Sequence, residues 1–289
     1  MRWLVLGGTG TFGRALLKAL KARGWTGVGA ARSGAAETLD LTDLDALERT
    51  LDRWKPDGVV NAAAWVDLAA CEADPGAAYA VNARPVTRLA AWARAQDRPL
   101  VQISTDHFFV EGGDRAHPET DPISLVNEYA RTKYAAEAFA LSASQALVIR
   151  TNMTGVHPGR ARPTFADWAM QSLKERAPLT LFTDFYCSTI DADCLASTVF
   201  DLVEAGARGR LNVASSQVAS KYEFVHALAA QMGIALDWAK AGSAQGLNPP
   251  RALSLGLDVS KAEGLLGRAL PTLDAVCANL VHQSAMSGR

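Results

Sequence analysis

The chain has 289 residues, 49% of them hydrophobic and 20% charged, and 29 Lys plus Arg against 30 Asp plus Glu leave a formal net charge of −1. An apolar fraction this large builds a substantial core and excludes wholesale disorder, while balanced charge leaves no basic excess for holding nucleic acid. No apolar run approaches the roughly 18–20 residues of a membrane helix. The first residues show no secretory pattern, so the expectation is a cytoplasmic protein without a membrane partner. Cys71, Cys187, Cys194 and Cys277 lie far apart; they form no paired metal spacing and read as reduced thiols.

The first half alternates short β-rich runs with long amphipathic ones. Trp3-Leu4-Val5-Leu6, closed by glycines, reads as a strand buried on both faces. Over 11–23, Phe12, Leu16, Leu17 and Leu20 fall at helical spacing among Arg14, Lys18, Lys21 and Arg23. A strand fits 26–31, and a helix carries Leu44, Leu47, Leu51 and Trp54. Pro56-Asp57-Gly58 turns the chain into the strand Val59-Val60-Asn61. One long helix is predicted over 76–96, a strand over 100–104, a helix over 127–144 and a strand over 146–150. Right-handed crossovers join such units into a doubly wound parallel sheet.

Beyond residue 150 the pattern loosens. A loop is predicted over 158–163, helices near 164–175, 191–205, 220–232 and 271–283, and short strands near 179–182 and 210–214. Residues 242–250 read as a surface loop. The expected architecture is α/β: a Rossmann-like dinucleotide-binding domain over 1–150 and a smaller substrate-binding lobe over 151–289, parts of which can return to the sheet.

Gly7, Gly10 and Gly13 follow the first strand and open the first helix, with Thr11 and Phe12 between them. Glycine lets a backbone turn tightly and approach a pyrophosphate, and the helix N-terminus adds N–H donors and a positive dipole. A turn with no ligand is the plain alternative, but strand before and helix after is the context a dinucleotide requires. An NAD site commonly ends the second strand with an acid for the ribose 2′-hydroxyl. Here that strand runs into Arg32-Ser33, with no acid before Glu37. Arg32 suits a 2′-phosphate, which favours NADPH with NADH possible.

Tyr129 and Lys133 sit four apart on one helix face. Alone, such a pair is a tyrosine packed over a lysine stem. Ser104-Thr105-Asp106, however, ends an apolar strand, where doubly wound sheets place ligands. A phenol, a cation that favours the phenolate and a hydroxyl for a carbonyl oxygen make a proton-transfer site.

With these motifs the sequence resembles extended short-chain dehydrogenases/reductases, and most of all the dTDP-4-dehydrorhamnose reductase family. The matching segments include the glycine loop, Leu39–Asp43, Asn61–Asp67, Cys71-Glu72, Ala80–Ala83, Ser104–Asp106, the Tyr129/Lys133 pair and Arg150-Thr151. Weaker similarity runs on through Asp184 to Pro250-Arg251 and Leu257–Lys261. The resemblance implies NADPH-dependent reduction of the 4-keto group of a nucleotide-activated deoxysugar. It implies Tyr129 as proton donor, Lys133 on the nicotinamide ribose and Thr105 on the keto oxygen. Asp40 and Leu41 would border the adenine, and Ala63, Ala64 and Trp65 the middle of the cofactor. Asp106, His107, Asn152, Met153 and Arg251 fall on the substrate side.

Departures from the family pattern gather on that side. The family's Ser-Thr-Asp-Tyr-Val-Phe reads Ser104-Thr105-Asp106-His107-Phe108-Phe109, and its Arg-Thr-Ser-Trp reads Arg150-Thr151-Asn152-Met153. Its Asp-Gln-x-Gly-x-Pro-Thr reads Asp184–Ile190. An unusual deoxysugar or a different nucleotide accounts for all three. His107 adds an imidazole, a group able to titrate near neutral pH, but reads as a core or pocket-wall residue in preference to a catalytic one. Two alternatives stay open: a sugar-nucleotide epimerase, and a non-enzymatic regulatory subunit such as the beta subunit of methionine adenosyltransferase. No metal site is expected, and a homodimer is common for this fold.

Overall fold

In a computed structural model of the chain, Trp3 through Leu6 are buried in strand β1 (Arg2–Leu6), as a strand covered on both faces requires. Residues 1–157 and 163–287 are described; all of the predicted 158–163 loop but Pro163 lies outside them. The chain continues through α1 (Thr11–Ala22), β2 (Thr26–Ala31), β3 (Glu37–Thr38), α2 (Leu44–Trp54), β4 (Gly58–Asn61), α3 (Leu68–Ala73), α4 (Pro75–Asn82), α5 (Arg84–Gln96), β5 (Leu100–Ile103), α6 (Glu128–Ala140) and β6 (Ala146–Arg150). There follow β7 (Asn152–Thr154), α7 (Phe165–Lys174), β8 (Thr180–Phe182), β9 (Tyr186–Cys187), β10 (Thr189–Asp191), α8 (Ala192–Glu204) and β11 (Gly209–Asn212). The last elements are β12 (Ala219–Ser220), α9 (Lys221–Gln231), β13 (Lys240–Gly242), β14 (Ser254–Leu255), α10 (Ser260–Leu266) and α11 (Leu273–Ser287).

Two units share these elements. The first holds Met1–Thr105, Leu125–Arg150 and Ala196–Leu211; the second holds Asp106–Ser124, Thr151–Leu195 and Asn212–Arg289. The division is interleaved; the sequence suggested a boundary at residue 150 with parts of the later lobe able to return to the sheet. Residues 106–124 leave the first unit, and 196–211 rejoin it, bringing β11 to the sheet.

The first unit is built on a seven-stranded sheet in the order β11-β6-β5-β4-β1-β2-β3. β1 pairs in parallel with β2 and β4, β4 with β5, and β5 with β6. Leu4, Leu6, Val59, Leu100 and Val148 from these strands share a core with Leu47 and Leu51 of α2, Val86 and Leu89 of α5, and Ala136 and Ala140 of α6. Trp3 is packed edge-on to Phe200, centroids 5.3 Å apart, and lies over Gly58. A Cβ at Gly58 would stand 2.5 Å from the indole, so this glycine, read from the sequence as a turn residue and here the first residue of β4, is also a packing requirement.

The helix predicted over 76–96 is two helices. Pro85 has no N–H to continue α4 and suits the first turn of α5. α3, unforeseen, starts where Asp67 accepts the Ala70 N–H at 3.1 Å, and Asp74 caps α4 through Ala77 at 2.9 Å.

Three small sheets, β10-β7, β12-β9-β14 and β13-β8, form the second unit's strands. Capping boxes start α7 (Thr164 with Asp167) and α9 (Ser220 with Glu223). Wholly buried Asp191 accepts from Cys194 N at 2.9 Å and from Asn279 and Gln283 at 3.2 Å each, which fastens α11.

α6 is started by buried Asn127, whose Oδ1 accepts the Ala130 N–H at 2.8 Å. Asn127→Ala removes that cap and should cost about 1 kcal/mol. A melting temperature lowered by about 2–4 °C in calorimetry checks it.

Candidate active site

β1, β2, β4 and β5 end in near register, with Leu6 opposite Ala30 and Asn61, and Asn61 opposite Gln102. Strand order reverses between β1 and β4, and such a switch point is where this architecture receives ligands. The glycine loop occupies it. Gly7 has φ of 83°, and a Cβ there would sit 2.9 Å from the Ala63 nitrogen. A Cβ on Gly13 would lie 2.1 Å from the Gly7 carbonyl oxygen, so only glycine lets α1 start this close to the loop. Thr11 and Phe12 form the first turn of α1, between Gly10 and Gly13. That turn carries no acid and no side-chain cap, unlike α2, α3, α4 and α6. Its N–H groups and dipole suit an anion.

Arg32 and Ser33 are exposed just past β2. The nearest acid, Glu37, accepts from Trp54 Nε1 at 2.9 Å and pairs with Arg53, contacts that hold its carboxyl below the usual range. Glu37 therefore fastens β3 to α2. Asp40 is exposed and accepts from the Thr42 nitrogen at 2.9 Å and hydroxyl at 2.8 Å, which lower its pKa; Arg32 adds a weaker attraction. Leu41 is buried beside it in sequence. Ala63, Ala64 and Trp65 follow β4, half-buried. Asn82 fixes their path: it accepts from Trp65 N at 2.6 Å and donates to Trp65 O and Thr132 Oγ1, each at 3.0 Å.

Thr105, Tyr129 and Lys133 are all buried, Lys133 with 3% exposure. The Lys133 ammonium donates to the Ile103 carbonyl at 2.7 Å, two residues before Thr105. Burial pushes its pKa down from 10.5 to about 8, and the Glu137 carboxylate opposes that shift. Tyr129 packs with Cys71, Ala78, Trp65 and Leu68. Burial, chiefly, raises the Cys71 thiol to about 11, so it is inert at neutral pH.

In the second unit the structure brings Asp106, His107 and Asn152 together. Asn152 Nδ2 donates to Asp106 Oδ2 at 2.6 Å, and Asn152 Oδ1 accepts from Thr189 Oγ1 at 2.9 Å. Burial raises the Asp106 pKa, against the pull of His107, Asn152 and Lys221. Burial also holds His107 low, with Asp106 opposing and Arg251 and Lys221 adding to it. Met153 is half-buried in β7, opposite Ile190 of β10, and Arg251 is exposed. Lys221, the first residue of α9, was not singled out from sequence; nor were Asn82 and Glu137. Asn82 lay inside a matched motif, but its partners only appear once the chain is folded.

Two other features fall outside this constellation. A cavity of about 410 Å³ lies at the opposite ends of the same strands, lined by Trp3, Val101, Leu147 and Val203 among others. In the second unit Asp121, His117 and Ser254 hydrogen-bond in the order of a hydrolase triad, at 2.8 and 3.0 Å. Ser254 is 1% exposed and already donates to the Gly113 carbonyl at 2.9 Å, so the trio fastens the 106–124 segment. Among the described residues, no three or more metal-ligating side chains cluster, and no helix is long and apolar enough to cross a membrane.

A family model described as the RmlD substrate binding domain matches residues 1–272. The dTDP-4-keto-6-deoxy-D-glucose reductase of Streptomyces niveus is 29% identical, over 95% of this chain and 98% of its own. A probable low-salt glycan biosynthesis reductase of Haloferax volcanii is 29% identical over 93% of this chain and 94% of its own. Among solved structures, the Bacillus anthracis dTDP-4-dehydrorhamnose reductase in complex with NADP superposes with a TM-score of 0.84 at 20% identity, covering 98% of each chain, a likeness of fold. The glycine cradle, the buried Tyr129/Lys133 pair and a match over almost the whole chain lead to one assignment: the protein belongs to the RmlD, or dTDP-4-dehydrorhamnose reductase, family and is an NAD(P)-dependent oxidoreductase.

Proposed function

We propose that the protein reduces the 4-keto group of a dTDP-linked 6-deoxysugar, using NADPH. The observation that carries this reading is Lys133, a buried ammonium one helical turn from Tyr129 and anchored at 2.7 Å to a carbonyl two residues before Thr105. The glycine loop suits a dinucleotide: side chains at Gly7 and Gly13 would collide with the Ala63 and Gly7 backbone, so only glycines let this tight turn bring the uncapped start of α1 to the ends of the strands. A nicotinamide held by the glycine loop and Lys133 would supply the hydride for the carbonyl carbon. Tyr129 gives its phenolic proton to the carbonyl oxygen, and Thr105 hydrogen-bonds that oxygen and orients it. Lys133 holds the nicotinamide ribose, and its charge favours the phenolate. Thr11 and Phe12 present N–H groups to the pyrophosphate beside Gly10, whose own N–H is held by the Gly7 carbonyl at 3.0 Å; Asp40 and Leu41 border the adenine, and Ala63, Ala64 and Trp65 line the middle of the cofactor.

NADPH follows from Arg32. Glu37, the acid that could have taken a ribose 2′-hydroxyl, is engaged by Trp54 and Arg53, which leaves an exposed guanidinium for a 2′-phosphate. The Bacillus anthracis relative with NADP is in keeping with this. On the substrate side, Asp106 and Asn152 form a hydrogen-bonding pair for sugar hydroxyls, His107 and Met153 shape the wall, and Arg251 with Lys221 attracts the nucleotide diphosphate. Relatives of matching length that are reductases favour reduction over the epimerase and regulatory readings.

With NADPH and dTDP-4-keto-6-deoxyglucose or its epimers, the protein should consume NADPH, read as loss of 340 nm absorbance. Tyr129→Phe should lower kcat by about 10²–10⁴-fold while NADPH fluorescence titration stays near wild type; retained turnover removes Tyr129 from the mechanism. Arg32→Ala should raise the KM for NADPH about ten-fold or more and leave that for NADH nearly unchanged; equal effects on both cofactors contradict the 2′-phosphate role.

A further inference from the structure

Glu137 is a buried charge that the mechanism above leaves unused. It lies on α6 one turn past Lys133 and two past Tyr129, with no exposed surface. Its Oε1 accepts from the Ser104 hydroxyl at 2.6 Å and from Arg150 Nε at 2.9 Å. Its Oε2 accepts from Arg150 Nη2 at 2.9 Å and from Arg210 Nε at 2.8 Å. One carboxylate thus joins α6 to the residue after β5, to the end of β6 and to β11. Removing three ions from water is costly, and well-packed apolar side chains hold strands to a helix equally well. The joint alone does not explain why it is ionic.

Lys133 explains it. The wholly apolar alternative would leave a buried ammonium with the Ile103 carbonyl and no counter-charge on its own helix face. We propose that Glu137 is a positioning residue of the reductase site: it keeps Lys133 an ammonium against Ile103 and, through Ser104, fixes the strand end that presents Thr105. This rests on the reductase reading above.

The ionisable groups around Lys133 are few. α6 supplies Tyr129 and Glu137. β5 presents no ionisable side chain, and β6 and β11 offer Arg150 and Arg210, both bound to Glu137. α3 brings Cys71 and Glu72, the latter accepting the Glu128 N–H at 2.7 Å. α4 contributes exposed Tyr79, and α5 contributes Arg84, Arg88 and Arg94, the last two engaged with Glu48 and Ser142. Glu137 is the group that counters the effect of burial on Lys133.

The sign of the pH effect follows. Because the Lys133 pKa in the folded chain, about 8, is below the ordinary 10.5, its charge opposes folding at low pH. That cost is relieved as pH rises from about 8 toward 10.5. Glu137→Gln removes the opposing charge and should move the onset of the relief, and the alkaline loss of kcat, down by about one pH unit. Arg210→Gln removes one neutralising partner from a half-exposed position, so Glu137 pulls harder on Lys133 and both should move up, by about half a unit.

The experiment is urea unfolding of the cofactor-free protein between pH 6.5 and 10, with kcat and KM against pH measured on the same variants using NADPH and dTDP-4-keto-6-deoxyglucose. Opposite shifts in the two variants, with kcat lowered in Glu137→Gln and the KM for NADPH changed less, support the proposal. A loss of stability in Glu137→Gln that is the same at every pH, with an unmoved kcat profile, overturns it and leaves a structural joint. If Glu137→Gln does not fold, Arg210→Gln decides, and a wild-type profile there overturns the proposal. If the wild type consumes no NADPH, the reductase reading fails, while the unfolding profiles still decide whether Glu137 holds the charge on Lys133.

Discussion

A positive charge kept out of water at Lys133 is the constraint on which the site depends. Burial drives its pKa to about 8, so the ammonium survives at neutral pH by a narrow margin. Each neighbour can be understood through that margin. The Ile103 carbonyl accepts a hydrogen bond from the ammonium at 2.7 Å, and the Glu137 carboxylate favours the charged form from one turn away. Arg150 and Arg210 then stabilise the carboxylate, which would otherwise be a second buried charge without compensation. The chain of obligations ends at Arg210, whose side chain is 27% exposed and so meets water.

The same logic separates the two ends of a dinucleotide. Under the proposed function, phosphates would be met by backbone: a loop too tight for side chains and a helix start that no side chain caps. In the same proposal the riboses would be met by placed side chains, Arg32 in water and Lys133 in the interior. A net charge of −1 is compatible with anionic ligands because the positive charge is local.

Much of this was legible in the sequence, and the reason is locality. The glycine loop, the Tyr129/Lys133 spacing and Thr105 at a strand end are short-range patterns, and the βα units around them carry clear periodicity. The break at Ala83 was not read, although Pro85 encoded it, because two helices end to end keep one periodicity. Glu137 was invisible for a different reason: its partners are 33, 13 and 73 residues away, and no local pattern marks a residue that acts through distant strands. The substrate side was hardest. Its strands are two or three residues long, too short for any period to show. Asp106 and Asn152 were singled out through family motifs; that they bond each other at 2.6 Å came from the fold.

The central claim is that Tyr129 protonates a sugar 4-keto oxygen as hydride reaches the adjacent carbon. Isotope placement tests it most directly. NADPH carrying deuterium on either face of the nicotinamide C4 would be incubated with dTDP-4-keto-6-deoxyglucose and its epimers, and the product sugar examined by mass spectrometry and NMR. The account predicts one deuterium, at C4 of the sugar, from one face only, with labelled product formed about 10²–10⁴-fold more slowly when Tyr129 is phenylalanine. Deuterium elsewhere in the sugar, or labelled product formed at the wild-type rate without the phenol, would contradict it.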